Sequence, residues 1–150
     1  WSRYTTLKIS TQYKELLKKK FRFAKATWES SDGTLYIGYN HKVKPSDNFE
    51  KNITKKEATL LFNKDILVIE KFLNRNLTRK IPQKHFDIIV SLCYDVGTKA
   101  VKNSLFFNYY LVGDEYSAFK NYMTWCRVNG ELSQSLYKRR KEELNYLDDI

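Results

Sequence analysis

One segment limits what this chain can become more than any other. In residues 52–75, Phe62, Ile66, Ile69 and Leu73 recur at i, i+4, i+7 and i+11, which places four large apolar side chains on one face of a helix. Thr54 and Glu57 stand three residues apart just before that run, the spacing at which a hydroxyl and a carboxylate cap each other's backbone N–H groups. A helix of this length spans about 30 Å by its rise per residue. Such a rod is suited to connecting two lobes.

The rest of the chain reads as further helices around one small sheet. With five glycines and two prolines in 150 residues, punctuation is sparse and favours helices joined by short turns. Residues 11–20 are helical in character, with a strongly polar end at Lys18-Lys19-Lys20. Residues 26–29 and 35–39 flank Ser30-Ser31-Asp32-Gly33, whose Asp-Gly step favours a hairpin turn. Another helix starts near Pro82, carries Phe86, Ile89, Val90 and Cys93 inward and stops at Gly97, since proline suits a first turn. Shorter helices are expected over 104–112, 115–127 and 134–147, with Gly113 and Gly130 as breaks. The fold class is α+β and mainly helical.

Composition sets the outer bounds. A hydrophobic content of 42% with 29% charged residues reads as globular, and no apolar run of about 18 residues is present to span a membrane. The net charge is +10, and residues 1–25 hold eight Lys or Arg against one acid, Glu15. That face suits nucleic acid, anionic lipid or an acidic wall polymer, or is a solvated basic surface. Cys93 and Cys126 permit one disulfide at most and match no metal motif. Both lie in apolar stretches and read as small buried hydrophobes. Trp1 in place of Met leads to the expectation that an upstream segment was removed or is not represented.

Residues 33–41, Gly-Thr-Leu-Tyr-Ile-Gly-Tyr-Asn-His, resemble the Gly-x-x-Thr-Ile-Gly-Tyr-Gly-His signature of phage-type lysozymes. Further pieces follow in order. Ile53-Thr54-Lys55-Lys56-Glu57-Ala58 with Asp65 and Glu70 is similar to that family's linker helix. The run from Pro82 to Gly97 resembles its Q-x-Q-F-D-A-L-V-S-F-x-F-N-V-G stretch. Ser104-Leu105, Gly113-Asp114, Trp125, Gly130 and Arg139-Arg140 keep its order and approximate spacing. The resemblance covers about residues 12–147. It implies a single two-lobed domain over 1–150, with a small β-hairpin lobe over about 21–53, a linker helix over about 54–75, and a helical lobe over about 76–150 that includes the N-terminal helix. It also implies a peptidoglycan groove between the lobes and hydrolysis of the bond between N-acetylmuramic acid and N-acetylglucosamine.

The positions that carry that hydrolysis are changed here. Counting from the signature, the catalytic Glu, Asp and Thr of the family fall on Phe21, Ser30 and Tyr36. Glycoside hydrolysis needs one carboxylic acid to protonate the leaving oxygen and a second carboxylate to activate water or attack carbon; a lysozyme is the type case of that rule. Phe21 has no transferable proton, Ser30 carries no charge, and the Tyr36 ring occupies space that a small Thr leaves for water. Glu29 is the rescue candidate for the second carboxylate, but adjacent strand residues face opposite ways. Glu15, nearly two helical turns before Phe21, lies among lysines that favour its ionised form and reads as a surface residue.

His41 is expected to order the hairpin, and Asn40 to accept a left-handed conformation where the family has Gly. His85 is expected at the surface, and without a third ligand no metal site is implied; no cofactor is implied either. The residues offered for substrate contact are Tyr36, Tyr39, His41, Tyr94, Asp95, Ser104, Trp125 and Arg139, with Arg140 beside them, through ring stacking and hydrogen bonds. For each, packing in the core or the lobe junction is the competing reading.

The expected function is therefore a catalytically inactive, lysozyme-derived binding, structural or regulatory module. Its partner is peptidoglycan or another phage or bacterial protein, and a virion or cell-envelope location is favoured over a cytoplasmic one. The alternatives are an active muramidase with a relocated carboxylate, and a basic nucleic-acid or anionic-polymer binder, the latter disfavoured because no nucleic-acid motif is present.

Overall fold

The computed structural model describes residues 6–128 and 130–148. Helix α1 (Thr11–Lys20) opens on Ser10, whose Oγ accepts the Tyr13 N–H at 3.2 Å, and closes at Phe21. Its three terminal lysines lie where the helix leaves unpaired carbonyls and a partial negative charge. Tyr13 and Leu17 point into the core.

A three-stranded antiparallel sheet follows: β1 (Ala24–Glu29), β2 (Leu35–Gly38) and β3 (His41–Lys42), in that order. The expected hairpin is present, and β3 adds a strand that sequence reading does not provide. The chain reverses into β3 through Gly38 at φ +67° and Asn40 at φ +62°, so Asn40 takes the expected left-handed conformation. Gly38 has a second constraint. A Cβ there would lie 3.1 Å from the Cβ of Ala58, so the sheet approaches the next helix at backbone distance.

That helix is α2 (Lys55–Asn76), and its cap forms as the sequence indicates. Glu57 N–H donates to Thr54 Oγ1 at 3.1 Å, and Thr54 N–H donates to Glu57 Oε1 at 2.9 Å. Phe62, Ile66, Ile69 and Leu73 are all buried. The first half of α2 carries the sheet, through Ala58 against Gly38 and Asp65 against His41. The second half packs into the helices, with Phe72 stacked on Phe107.

Helix α3 (Gln83–Val96) is capped by Pro82 rather than beginning with it, and it ends at Gly97, φ +91°. Sequence periodicity marks one inward face, yet every residue from Phe86 to Cys93 is buried. The reason is tertiary: α1, α2, α4 (Thr98–Lys102) and α7 (Gln134–Asp148) surround it. Helices α5 (Leu105–Leu111) and α6 (Glu115–Tyr122) complete the bundle, α6 ending five residues short of the expected 127. There the chain turns instead into a second small sheet, β4 (Arg127–Val128) with β5 (Glu131–Leu132). The expectation of a single sheet is corrected accordingly.

The segment before α1 is held by side chains. Leu7 exchanges two 2.8 Å bonds with the Asn74 amide, Ile9 N–H donates to Glu70, and Gln83 donates to the Lys8 carbonyl. Buried Asp87 accepts from Ser10 N–H, Ser10 Oγ, Gln83 and Tyr146. Cys93 and Cys126 are buried and unpaired, as expected of small hydrophobes. No helix among the described residues is long and apolar enough to cross a membrane.

Candidate functional site

The end of α1, the sheet, the C-terminal part of α3 and α7 meet around two adjoining concavities. One, of about 670 Å3, is lined by residues 20–26 and Trp28, with Asn40 and Arg139. The other, of about 230 Å3, lies between Tyr36, His41, Lys42 and Lys44 on one side and Asp65, Tyr94, Asp95 and Gly97 on the other. Asn40 borders both.

Phe21 stands at the foot of α1 and is only 6% exposed. Its ring lies 5.2 Å from that of Tyr94, and the Arg139 guanidinium sits 4.9 Å from its centroid. Phe21 is thus an aromatic wedge under a cation. Tyr94 continues the cluster to Phe62 and donates its hydroxyl to the Tyr39 carbonyl. Burial pushes the Tyr94 phenol well above its ordinary range, so it offers no proton donor matched to neutral pH.

Ser30 follows β1 and donates its hydroxyl to Asp32, which also accepts the Thr34 N–H at 3.0 Å. The Ser30 bond, reinforced by Thr34, holds the Asp32 carboxyl down to about 2. A fixed, ionised and solvent-exposed carboxylate therefore exists two residues beyond the expected Asp position. Counting one residue to either side misses it; the Ser-x-Asp-Gly pattern of a side-chain-closed turn was the available signal.

Trp28 and Tyr36 are directly opposed across β1 and β2, with rings stacked 5.1 Å apart. Burial, then Asp32 and Asp95, raise the Tyr36 phenol above its usual range. Glu29 pairs with Leu35 in the same ladder, and the irregularity in β1 lies between Ala24 and Trp28. With no slip between Trp28 and Glu29, the two side chains face opposite ways, and Glu29 points away from the concavities that Trp28 and Tyr36 line. Glu15 is exposed, 3.6 Å from Lys18.

His41 is buried with both ring nitrogens occupied: Nδ1 lies 2.6 Å from Asp65 and Nε2 3.2 Å from Asp47. The bond to Asp65, opposed by burial and aided by Asp47, raises the imidazole pKa. The ring clamps the sheet to α2, as expected of a residue that orders the hairpin. Asp95, at the end of α3, accepts from both Arg139 and Arg140. Arg140 is fully buried and also meets Glu143 at 2.7 Å, while Glu143 accepts from Ser91 and Tyr122. Burial raises the Glu143 carboxyl pKa, with Arg140 acting in the opposite sense. A buried charge with this many partners is strongly destabilised by loss of any one of them.

The expected contact residues divide accordingly. Tyr36, His41, Tyr94, Asp95 and Arg139 line the two concavities. Tyr39 packs on Phe23 and Phe62 beside them. Ser104 does not reach them: its Oγ caps α5, accepting the Phe107 N–H at 3.1 Å. Trp125 packs against the hydrophobic core, and Arg140 is sealed inside. His85 is not the surface residue expected. It is half-buried against Tyr110 and Phe119, with Nδ1 2.9 Å from the Tyr110 hydroxyl, and burial lowers its pKa. Among the described residues no three His, Cys, Asp or Glu side chains converge as a metal site would require.

The family model described as "Phage lysozyme" matches residues 19–143. The endolysin of Acyrthosiphon pisum secondary endosymbiont phage 1 is 28% identical over 141 residues, covering 91% of this chain and 90% of that protein. The endolysin of Bacillus phage B103 is 29% identical over 110 residues, 71% of this chain but 40% of its own length. Among solved structures, the muramidase domain of SpmX from Asticaccaulis excentricus superposes with a TM-score of 0.80 at 26% identity, covering 95% of this chain and 99% of that one. The endolysin from Escherichia coli O157:H7 phage FAHEc1 gives 0.75 at 26% identity, with 97% of each chain covered. This chain belongs to the phage lysozyme family, and its mainly helical α+β architecture is that family's fold.

Proposed function

We propose that this chain is a lysozyme-fold module that retains ligand in its cleft without hydrolysing it, with peptidoglycan contact as the inherited mode. The observation that carries the reading is Phe21: the position that the motif count gives to the proton donor holds an apolar ring wedged between Tyr94 and Arg139. None of the other groups substitutes for it. Glu29 faces away, Glu15 is a surface residue paired with Lys18, and both nitrogens of His41 are bound to carboxylates.

One observation favours the second reading, an active muramidase. Asp32 is ionised and ordered beside Ser30, as a carboxylate facing a developing positive charge must be. It supplies half of the required pair and leaves the leaving group without an acid.

Clearing of a peptidoglycan suspension decides between them. The chain as it stands is expected to leave turbidity unchanged, and Phe21→Glu, Ser30→Asp and Tyr36→Thr combined to restore clearing. Lysis by the unaltered chain at the rate of an active endolysin overturns the reading; its loss in Asp32→Asn would then assign the relocated carboxylate.

A further inference from the structure

The groove of about 670 Å3 has a charge pattern that loss of hydrolysis does not explain. Its wall carries Lys20, Arg22, Lys25 and Arg139 and no carboxylate. Arg139 is held by Asp95, whereas among the described residues Lys20, Arg22 and Lys25 stand in no ion pair. The end of α1 accounts for Lys20 through the helix dipole. It does not account for Arg22 and Lys25, which lie beyond the helix, or for Arg139, which arrives from α7. Cations of one sign on a concave wall reinforce one another's field. Moreover, the wall position that the motif count gives to an acid holds the uncharged Phe21.

Within this ring of cations stands one accessible aromatic. Trp28 is 43% exposed; one part of it rests on Tyr36, and the remainder lines the groove. Of the other rings, Phe21 is covered by Tyr94 and Arg139, and Phe23 is partly covered by Tyr39 and Lys55.

We propose that this groove binds an acidic glycan, a sugar or polyol chain bearing phosphate or carboxylate groups, with Trp28 under one unit and Lys20, Arg22 and Lys25 on the anions. The proposal rests on the reading that the cleft holds ligand without cleaving it. A single-stranded nucleic acid fits less well, because such grooves stack successive bases on several aromatic faces and Trp28 is the one exposed ring among the residues that line this groove.

The test is calorimetric titration with four probes: poly(glycerol phosphate), oligogalacturonate, neutral chitohexaose and an oligo-dT strand, each at about 50 and about 300 mM salt. At least one acidic glycan is expected to bind, more weakly at high salt, with chitohexaose well below it. The phosphate and carboxylate arms identify the anion. Arg22→Ala with Lys25→Ala, both at exposed positions, is expected to weaken binding about tenfold and to flatten its salt dependence. Trp28→Ala is expected to weaken it about tenfold with the salt dependence intact. Equal affinity for chitohexaose, unchanged binding in the Arg22 and Lys25 variant, tighter binding of oligo-dT than of either acidic glycan, or no binding of either acidic glycan would each overturn the proposal. Peptidoglycan clearing, measured separately, judges the non-hydrolytic reading without touching this result.

Discussion

Replacing Phe21 by Glu places a carboxylate directly beneath the Arg139 guanidinium, and the cost of doing so follows from the geometry. Phe21 is 6% exposed, and withdrawing its ring from the core costs about 2–3 kcal/mol. The guanidinium lies 4.9 Å from the ring centroid. Opposite unit charges at that separation attract by about 3 kcal/mol at an effective dielectric near 20. Arg139 is 21% exposed and already shared with Asp95, so about half of that, about 1.5 kcal/mol, is available. Phe21→Gln loses the same burial without the charge. At pH 7, Phe21→Glu should therefore be less stable than the parent by about 1 kcal/mol and Phe21→Gln by about 2–3 kcal/mol.

The sign of the pH dependence is fixed by the same pair. The new carboxyl has a folded-state pKa about one unit below the ordinary Glu value of about 4.3. Its advantage over Gln is full above that ordinary value and is lost as pH falls through the folded-state pKa. Urea unfolding of both variants at pH 7 and at about pH 2.5 measures it. Equal stability of the Glu and Gln variants at pH 7 would refute the claim that position 21 lies in the field of the Arg139 guanidinium.

Three further outcomes are expected. Gly38→Ala combines a positive φ with a Cβ only 3.1 Å from Ala58 and should cost about 2–4 kcal/mol in thermal unfolding; a smaller loss would mean that sheet and α2 separate easily. Asp87→Ala leaves the donors of Ser10, Gln83 and Tyr146 unmatched and should cost about 3–5 kcal/mol; a change below about 1 kcal/mol would show that the N-terminal segment does not depend on it. His41 has a raised folded-state pKa, so its stabilisation is complete below the ordinary value of 6.5 and declines as pH rises through the folded-state pKa. The stability gap between the parent and His41→Gln should therefore narrow on going from pH 6 to about pH 9, and a constant gap would exclude the ionic clamp.

Local signals carried much of the fold. The capping pair Thr54 and Glu57, the apolar stripe from Phe62 to Leu73, the Asp-Gly turn and the stop at Gly97 depend on neighbours within a turn or two, and each formed where its residues stand. Strand β3, helix α4 and the β4–β5 hairpin were not legible, because elements of two to five residues are too short for a periodic pattern to repeat. The site was half legible. Motif spacing pointed to Phe21, Ser30 and Tyr36, of which Phe21 and Tyr36 line the two concavities, and the strand register faces Glu29 away from them. Ser104, Trp125 and Arg140 were also offered as contacts, but capping, core packing and a buried ion network claimed them.

The sequence by itself determined which residues, Phe21, Ser30 and Tyr36, stand at the positions counted from the motif, since identity at a counted position needs no coordinates. Only tertiary structure decided what surrounds them. Arg139 comes to Phe21 across more than a hundred residues, Asp95 joins α3 to Arg139 and Arg140, and Asp32 folds back on Ser30. Charges act through distance in space, and chain order does not contain that distance until the helices have packed.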